Sequence, residues 1–262
     1  MTPERPLHGR RVLVTRAPDQ AQPVITALHE AGADVVHVAL IEHVVLVDDA
    51  AVRGACERLA AHHGRRWLVL TSATTVAVIA PGVTAAGGLP EHTRVLAVGP
   101  ATAAALAAAG LPVDVVPARA DAAAAAQALV EDGVSGARVW FPRAAAGRDV
   151  LPERLRAAGA LVELQAVYRT ALPAQAAAQL AQCLEVAEPA AIVLYSGSAL
   201  AHLLEALGRR PYPAAAVPVC VGPVTADAAR RAHLPRPVMA RATDPAAVVR
   251  AVVAGLTREP LP

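Results

Sequence analysis

A chain of 262 residues with a net charge of +2 and only six aromatic side chains (one Phe, two Trp, three Tyr) has room for two cored domains. It lacks both the basic excess and the stacking surface of a nucleic-acid binder. Hydrophobic residues make up 55% of it, much of that Ala, and the uncharged stretch 72–90 is broken by Pro81, Gly82, Gly87, Gly88 and Pro90, so no membrane-crossing helix is expected.

Short Val- and Leu-rich runs alternate with Ala/Leu segments of helical period, the signature of parallel strands covered by helices in an α/β fold. In chain order the strands are expected over 11–15, 34–39, 67–71, 94–98, 113–116, 138–141, 161–166, 191–195, 217–221 and 237–240, with helices filling most gaps. Two extended stretches break this rhythm, IEHVVLVDD at 41–49 and YRTALP at 168–173; Asp48 and Asp49 suit the cap of a helix starting near Ala50. The N-terminal MTPERPLHGRRVLVTR has no apolar signal core, which points to a cytoplasmic chain.

The chain also repeats itself. RVLVTRAP at 11–18 is echoed by RVWFPRAA at 138–145, LVLTSATTV at 68–76 by IVLYSGSAL at 192–200, and VGPATAAALAAAG at 98–110 by VGPVTADAARRAH at 221–233. Three pairs in the same order indicate duplication of an α/β unit. The two extended stretches occupy equivalent places in the duplication. They suit linkers at which the chain crosses between domains, although two sequential domains divided near residue 136 also satisfy the pattern.

All 24 basic residues are Arg, so neither a phosphate-loop lysine nor a Schiff-base lysine is available. No dinucleotide fingerprint or GxSxG elbow occurs, and Cys56, Cys183 and Cys220 match no metal spacing. Cys220, inside VPVCVG, reads as a small buried hydrophobe. Polar residues gather instead where strands end: Thr15 and Arg16, Thr71 and Ser72, Gly99 with Thr102, Arg143 and Arg148, Ser196 with Ser198, and Gly222 with Thr225. Ligands of open parallel sheets bind at those edges. Each Ser or Thr there can cap the helix that follows, and the same helix N-termini, joined by the arginines, can hold carboxylates. Tyr168 follows an apolar strand at a presumed crossing, where its phenol either faces a cleft as a proton donor or packs against the hinge. Tyr195, in LYSGS, reads as structural.

The train VLVTRAP, LTSATTV, AVGPATAAALAAAG, PRAAAGRDVLPERLRAAGA, VYRT, LYSGSAL and VCVGPVTADAA resembles uroporphyrinogen-III synthase over nearly the whole chain. That resemblance implies two flavodoxin-like α/β domains with parallel sheets, joined by a two-stranded linker around a cleft. In this chain they would be 1–40 with 174–262, and 49–167, with linkers 41–48 and 168–173. It implies closure of hydroxymethylbilane, with loss of water and inversion of ring D through a spiro intermediate, to give uroporphyrinogen III. No cofactor or metal is implied; the expected state is a cytoplasmic monomer, in transient contact with hydroxymethylbilane synthase. Tyr168 matches the tyrosine assigned to hydroxyl departure, and Ser72, Thr102, Ser196 and Thr225 match the turn residues that meet carboxylate arms. Thr74 stands where Asn is common and His233 where Gly often closes the helix. A non-catalytic tetrapyrrole-binding module of the same fold is the alternative.

Overall fold

The computed structural model describes residues 5–257; the first four residues and the REPLP stretch at 258–262 lie outside the described residues. The chain divides into two compact units, residues 1–42 with 171–262, and residues 43–170.

The first unit carries β1 (Arg11–Val14), α1 (Pro18–Glu30) and β2 (Asp34–His37). The chain reaches β3 (Glu42–Val45) at its boundary with the second unit, then follows α2 (Asp49–Ala60), β4 (Arg66–Leu70), α3 (Ala73–Ala85), β5 (Thr93–Ala97) and α4 (Pro100–Ala108). The second unit continues with α5 (Ala122–Glu131), β6 (Arg138–Ala144), α6 (Val150–Ala157) and β7 (Leu161–Ala171). The chain then returns to the first unit through α7 (Ala176–Val186), β8 (Ala191–Leu194), α8 (Gly197–Leu207), β9 (Val217–Val221), α9 (Pro223–Arg231), β10 (Val238–Ala240) and α10 (Pro245–Thr257).

The first sheet runs β10-β9-β8-β1-β2, and each neighbouring pair in it is parallel. The second runs β3-β7-β6-β4-β5, with β7-β6-β4-β5 parallel, and β3 lies beside β7, where the Leu46 N–H bonds the Val167 carbonyl at 2.9 Å. Both sheets reverse their strand order at the unit's first parallel strand, between β1 and β8 in one and between β4 and β6 in the other. Such a reversal opens a crevice beyond the carboxyl ends of the strands.

Strand alternation builds one apolar cluster on each face. Leu13, Ile192 and Leu194 join one cluster of the first unit while Val12, Val14, Ala191 and Val193 join the other. In the second unit Leu68 and Leu70 face one way, and Trp67 and Val69 the other. Residues buried on both faces in turn explain why these strands read as continuous hydrophobic runs.

One expected strand is not formed. Residues 113–116 make only a single parallel bridge, Val115 with Leu96. Pro112 and Pro117 bracket the run, and Asp114 Oδ2 accepts the Val95 N–H at 2.7 Å, so a side chain takes a ladder position that a strand would fill.

Candidate functional site

In the second unit the turn after β4 and the end of β6 meet at the reversal of strand order. Ser72 caps α3 there: its Oγ accepts the Thr75 N–H at 3.1 Å and lies 2.9 Å from Thr75 Oγ1. Ser72 Oγ is also 3.5 Å from the Tyr168 hydroxyl, at the outer limit of a hydrogen bond. Tyr168 enters from β7 opposite Ala144, one step past a register shift between Arg143 and Ala144. Its ring is 8% exposed and meets the edge of His43, with centroids 5.2 Å apart and planes at 84°. Tyr168 belongs to the apolar cluster on this face of the sheet, which holds its ring.

Ser72, Ala144 and Tyr168 line a cavity of about 640 Å³ together with Thr71, Arg143, Arg148, Phe141 and residues 119–123. Arg143 is already engaged: it pairs with Asp149 at 2.8 Å and donates to the Arg148 carbonyl at 3.0 Å. Arg148 is exposed, and its side chain has no ion pair among the described residues. Sequence reasoning passes over Arg119 and Asp121 at the cavity's edge, which pair at 3.0 Å. Asp121 caps α5, accepting the Ala124 N–H at 2.8 Å. That hydrogen bond, helped by the Arg119 charge, holds the Asp121 carboxyl below its ordinary range. An Asp directly before five alanines is the cap signal that marks this loop.

Gly99 and Thr102 are not among the residues lining this cavity. Here the expectation of matched capping fails. Ser72 and Ser196 cap their helices, the latter accepting the Ala199 N–H at 3.1 Å. Thr102 and Thr225 do not: the N-caps of α4 and α9 are Gly99 and Gly222, neither with a side-chain cap bond. The proline that follows each glycine starts the helix three residues earlier than the threonine-cap reading requires, so the threonines fall inside the first turn, 4% and 3% exposed. The twin corners also differ in backbone. Gly222 has φ +82°, a conformation glycine alone adopts readily, whereas Gly99 is extended. Thr15 likewise caps nothing; it is fully buried, and its hydroxyl donates to the Val193 carbonyl at 2.7 Å, tying β1 to β8.

In the first unit, Arg16, Ser196 with Ser198, and Gly222 follow the ends of β1, β8 and β9, three neighbours in the sheet. The Arg16 guanidinium carbon lies 4.3 Å from the centre of the Tyr195 ring, and the Arg16 carbonyl accepts from His37 Nε2 at 2.8 Å. Helix amides and arginines at these edges suit carboxylate ligands. Cys220 is fully buried, and burial pushes its thiol up to about 11, so it is inert. No cluster of His, Cys, Asp and Glu fit to hold a metal occurs among the described residues. No helix among them is long and apolar enough to cross a membrane. His233 ends α9 with φ 55°, taking the left-handed position a glycine often fills.

The family model for uroporphyrinogen-III synthase HemD matches residues 22–250. The protein named uroporphyrinogen-III synthase from Synechococcus elongatus is 31% identical over 178 residues, covering 66% of this chain and 65% of that protein. A porphyrin biosynthesis protein HemD from Ruminiclostridium josui is 24% identical over 88% of this chain and 46% of its own length. The chain thus spans less than two thirds of the length of these curated relatives. Among solved structures, a substituted uroporphyrinogen III synthase of Thermus thermophilus matches with a TM-score of 0.64 and 20% identity, covering 96% of this chain and 100% of that one. The Helicobacter pylori uroporphyrinogen-III synthetase matches with a TM-score of 0.60 and 12% identity, covering 94% and 99%. At such identities the structures share the fold, and the extent of the family match carries the relationship. The chain belongs to the uroporphyrinogen-III synthase family.

Proposed function

We propose that this chain is a uroporphyrinogen-III synthase, which cyclises hydroxymethylbilane with loss of water and inversion of ring D to give uroporphyrinogen III. The observation that carries the reading is the placement of Tyr168, whose buried ring brings its hydroxyl beside Ser72 at the wall of a cavity edged by arginines. In this reaction the C–O bond of the hydroxymethyl group breaks as the pyrrole nitrogen pushes electrons toward it. Tyr168 donates its proton to the departing hydroxide, which leaves as water. The phenolate then recovers a proton when the cyclised pyrrole rearomatises.

Because the substrate supplies most of the driving electrons, the protein has little further chemistry to perform. Its main task is to fold the linear tetrapyrrole so that the spiro route is favoured over direct closure. Exposed Arg148 is the readier carboxylate anchor, while a substrate arm at Arg143 must displace Asp149. Thr71, Ser72, Gly99, Ser196, Ser198 and Gly222, with Arg16, offer further donors at strand ends, whereas buried Thr102 and Thr225 would serve by shaping the corners that present them. The same reading has the linkers at 41–48 and 168–173, and a cytoplasmic monomer that meets hydroxymethylbilane synthase transiently.

The test is incubation with freshly generated hydroxymethylbilane and separation of the isomers. Type III product is expected; type I alone, at the uncatalysed rate, would overturn the reading.

A further inference from the structure

At the reversal of strand order in the first sheet, the residues that follow β1 and β8 form a stacked pair. Val14 of β1 lies in register with Val193 of β8, so Arg16 and Tyr195, each two steps further, are neighbours. The guanidinium carbon stands over the phenol ring at 4.3 Å from its centre, well inside the range of a cation–π contact. The Tyr195 hydroxyl is buried without a hydrogen-bond partner. Burial pushes the phenol above its ordinary value, against the opposing pull of the Arg16 charge, so it stays protonated at neutral pH. With no well-formed hydrogen bond at this hydroxyl, although the Arg16 guanidinium approaches it, what Tyr195 chiefly presents to Arg16 is the face of its ring.

Arg16 is held from other directions too. Its Nε donates to Gln20 Oε1 at 3.2 Å, and its carbonyl is fixed by His37 Nε2 at 2.8 Å. No carboxylate pairs with its guanidinium among the described residues. Stacking occupies the face of a guanidinium, whereas its N–H donors point outward in the plane. Beyond the Tyr195 ring and hydroxyl and Gln20, no side chain meets the guanidinium among the described residues, so its terminal nitrogens can turn to form the fork that matches a carboxylate.

We propose that Tyr195 is a positioning residue, whose ring holds Arg16 flat at the end of β1 so that the terminal N–H fork takes one carboxylate arm of the tetrapyrrole substrate. The identity of that substrate rests on the synthase reading; the stacking geometry does not. Lysine would not serve at position 16, because a compact ammonium has no planar fork to hold.

The experiment compares the wild type with Tyr195→Phe, Tyr195→Leu, Arg16→Ala and the Tyr195→Leu/Arg16→Ala pair. It reads the Kd for uroporphyrin III, KM and kcat with hydroxymethylbilane, and Tm. Tyr195→Phe keeps the ring, so all four quantities are expected within about twofold of wild type, with Tm no lower because only an unpartnered hydroxyl is lost. Tyr195→Leu is expected to raise Kd and KM together by about five- to tenfold while kcat stays within about twofold. Arg16→Ala is expected to weaken binding by about tenfold or more, and the double variant to be no worse than Arg16→Ala alone. Should Tyr195→Leu fail to fold, Tyr195→Met carries the same comparison with a side chain that fills irregular gaps.

Independent, multiplying losses in the double variant would overturn the proposal, as would a Phe variant as damaged as the Leu variant. Failure of the wild type to bind uroporphyrin III would overturn it as well. Intact binding and coupling without type III product would instead refute the synthase reading and leave the positioning role standing.

Discussion

Replacing Tyr168 by Phe removes one oxygen and nothing else, and the structure separates what that oxygen does for stability from what it does for rate. Among the described residues its one polar contact is Ser72 Oγ at 3.5 Å, a bond stretched to its limit and worth less than about 0.5 kcal/mol. The ring stays in place, since its burial and its edge contact with His43 do not involve the hydroxyl. Tm is therefore expected to stay near that of the wild type. A positioned general acid contributes about 10²–10⁴-fold, but in the proposed reaction the pyrrole nitrogen would already drive the departure of hydroxide. The expected loss in kcat is thus about 10- to 100-fold, or about 1.4–2.7 kcal/mol in the barrier. The assay follows type III formation from freshly generated hydroxymethylbilane at saturating concentration, with type I measured in the same samples. As the catalysed rate falls, spontaneous closure competes and the type I fraction rises. Equal kcat in the two proteins would remove Tyr168 from the chemistry. A large loss of Tm would mean that the hydroxyl supports the fold in a way its single long contact does not account for.

Other perturbations test the frame around the site. Ser72→Ala and Ser196→Ala each lose a cap and are expected to cost about 1 kcal/mol in denaturant unfolding; unchanged stability in both would refute the capping assignment. Gly82→Ala would place a Cβ 2.7 Å from Val52 Cβ, where α3 packs on α2. Despite the better helix propensity of Ala, that overpacking is expected to destabilise by about 1–3 kcal/mol, measured as a fall in Tm and denaturant midpoint. Burial raises the Glu163 pKa, but hydrogen bonds and charge from Arg58 and Arg138, at 2.7 and 2.9 Å, outweigh it and leave the value below the ordinary 4.5. The stabilisation this carries is full above the unfolded-state pKa and is lost as pH falls through the folded one. Glu163→Gln is expected to cost about 1 kcal/mol at neutral pH, because the pairs are partly exposed, and in acid titrations the difference from wild type should shrink below the ordinary value and vanish once the folded-state carboxyl is protonated. A difference that persisted there would exclude the ion pairs as its source.

Most of the architecture was legible because it rests on local regularities. Continuous apolar runs mark strands covered on both faces, and the threefold echo along the chain marks a doubled α/β unit. Asp48 shows its cap in the sequence, and its carboxylate accepts the Ala51 N–H at 2.8 Å as the pattern implies. The pattern is ambiguous where two signals compete for the same residues. The VGPxT corners offer both a glycine and a threonine to cap a helix, and only the backbone path reveals that the glycine takes the place while the threonine turns inward. The 113–116 run has strand composition, yet its prolines and the Asp114 carboxylate claim the ladder positions.

By itself the sequence determined the α/β class, the duplication, the strand-end location of the polar residues and the family. Each of these follows from composition, period or ordered motifs, which survive any particular packing. The tertiary structure decided which of those polar groups are engaged. Arg143 is paired with Asp149, Thr15 bonds the Val193 carbonyl, Tyr168 meets Ser72, and Arg16 lies over Tyr195. Three of these four contacts join residues 96 to 179 positions apart, by count from their numbers, and no local pattern encodes them. They exist because parallel strands distant in the chain end at the same edge of one sheet, and only that alignment brings their terminal residues within reach of one another.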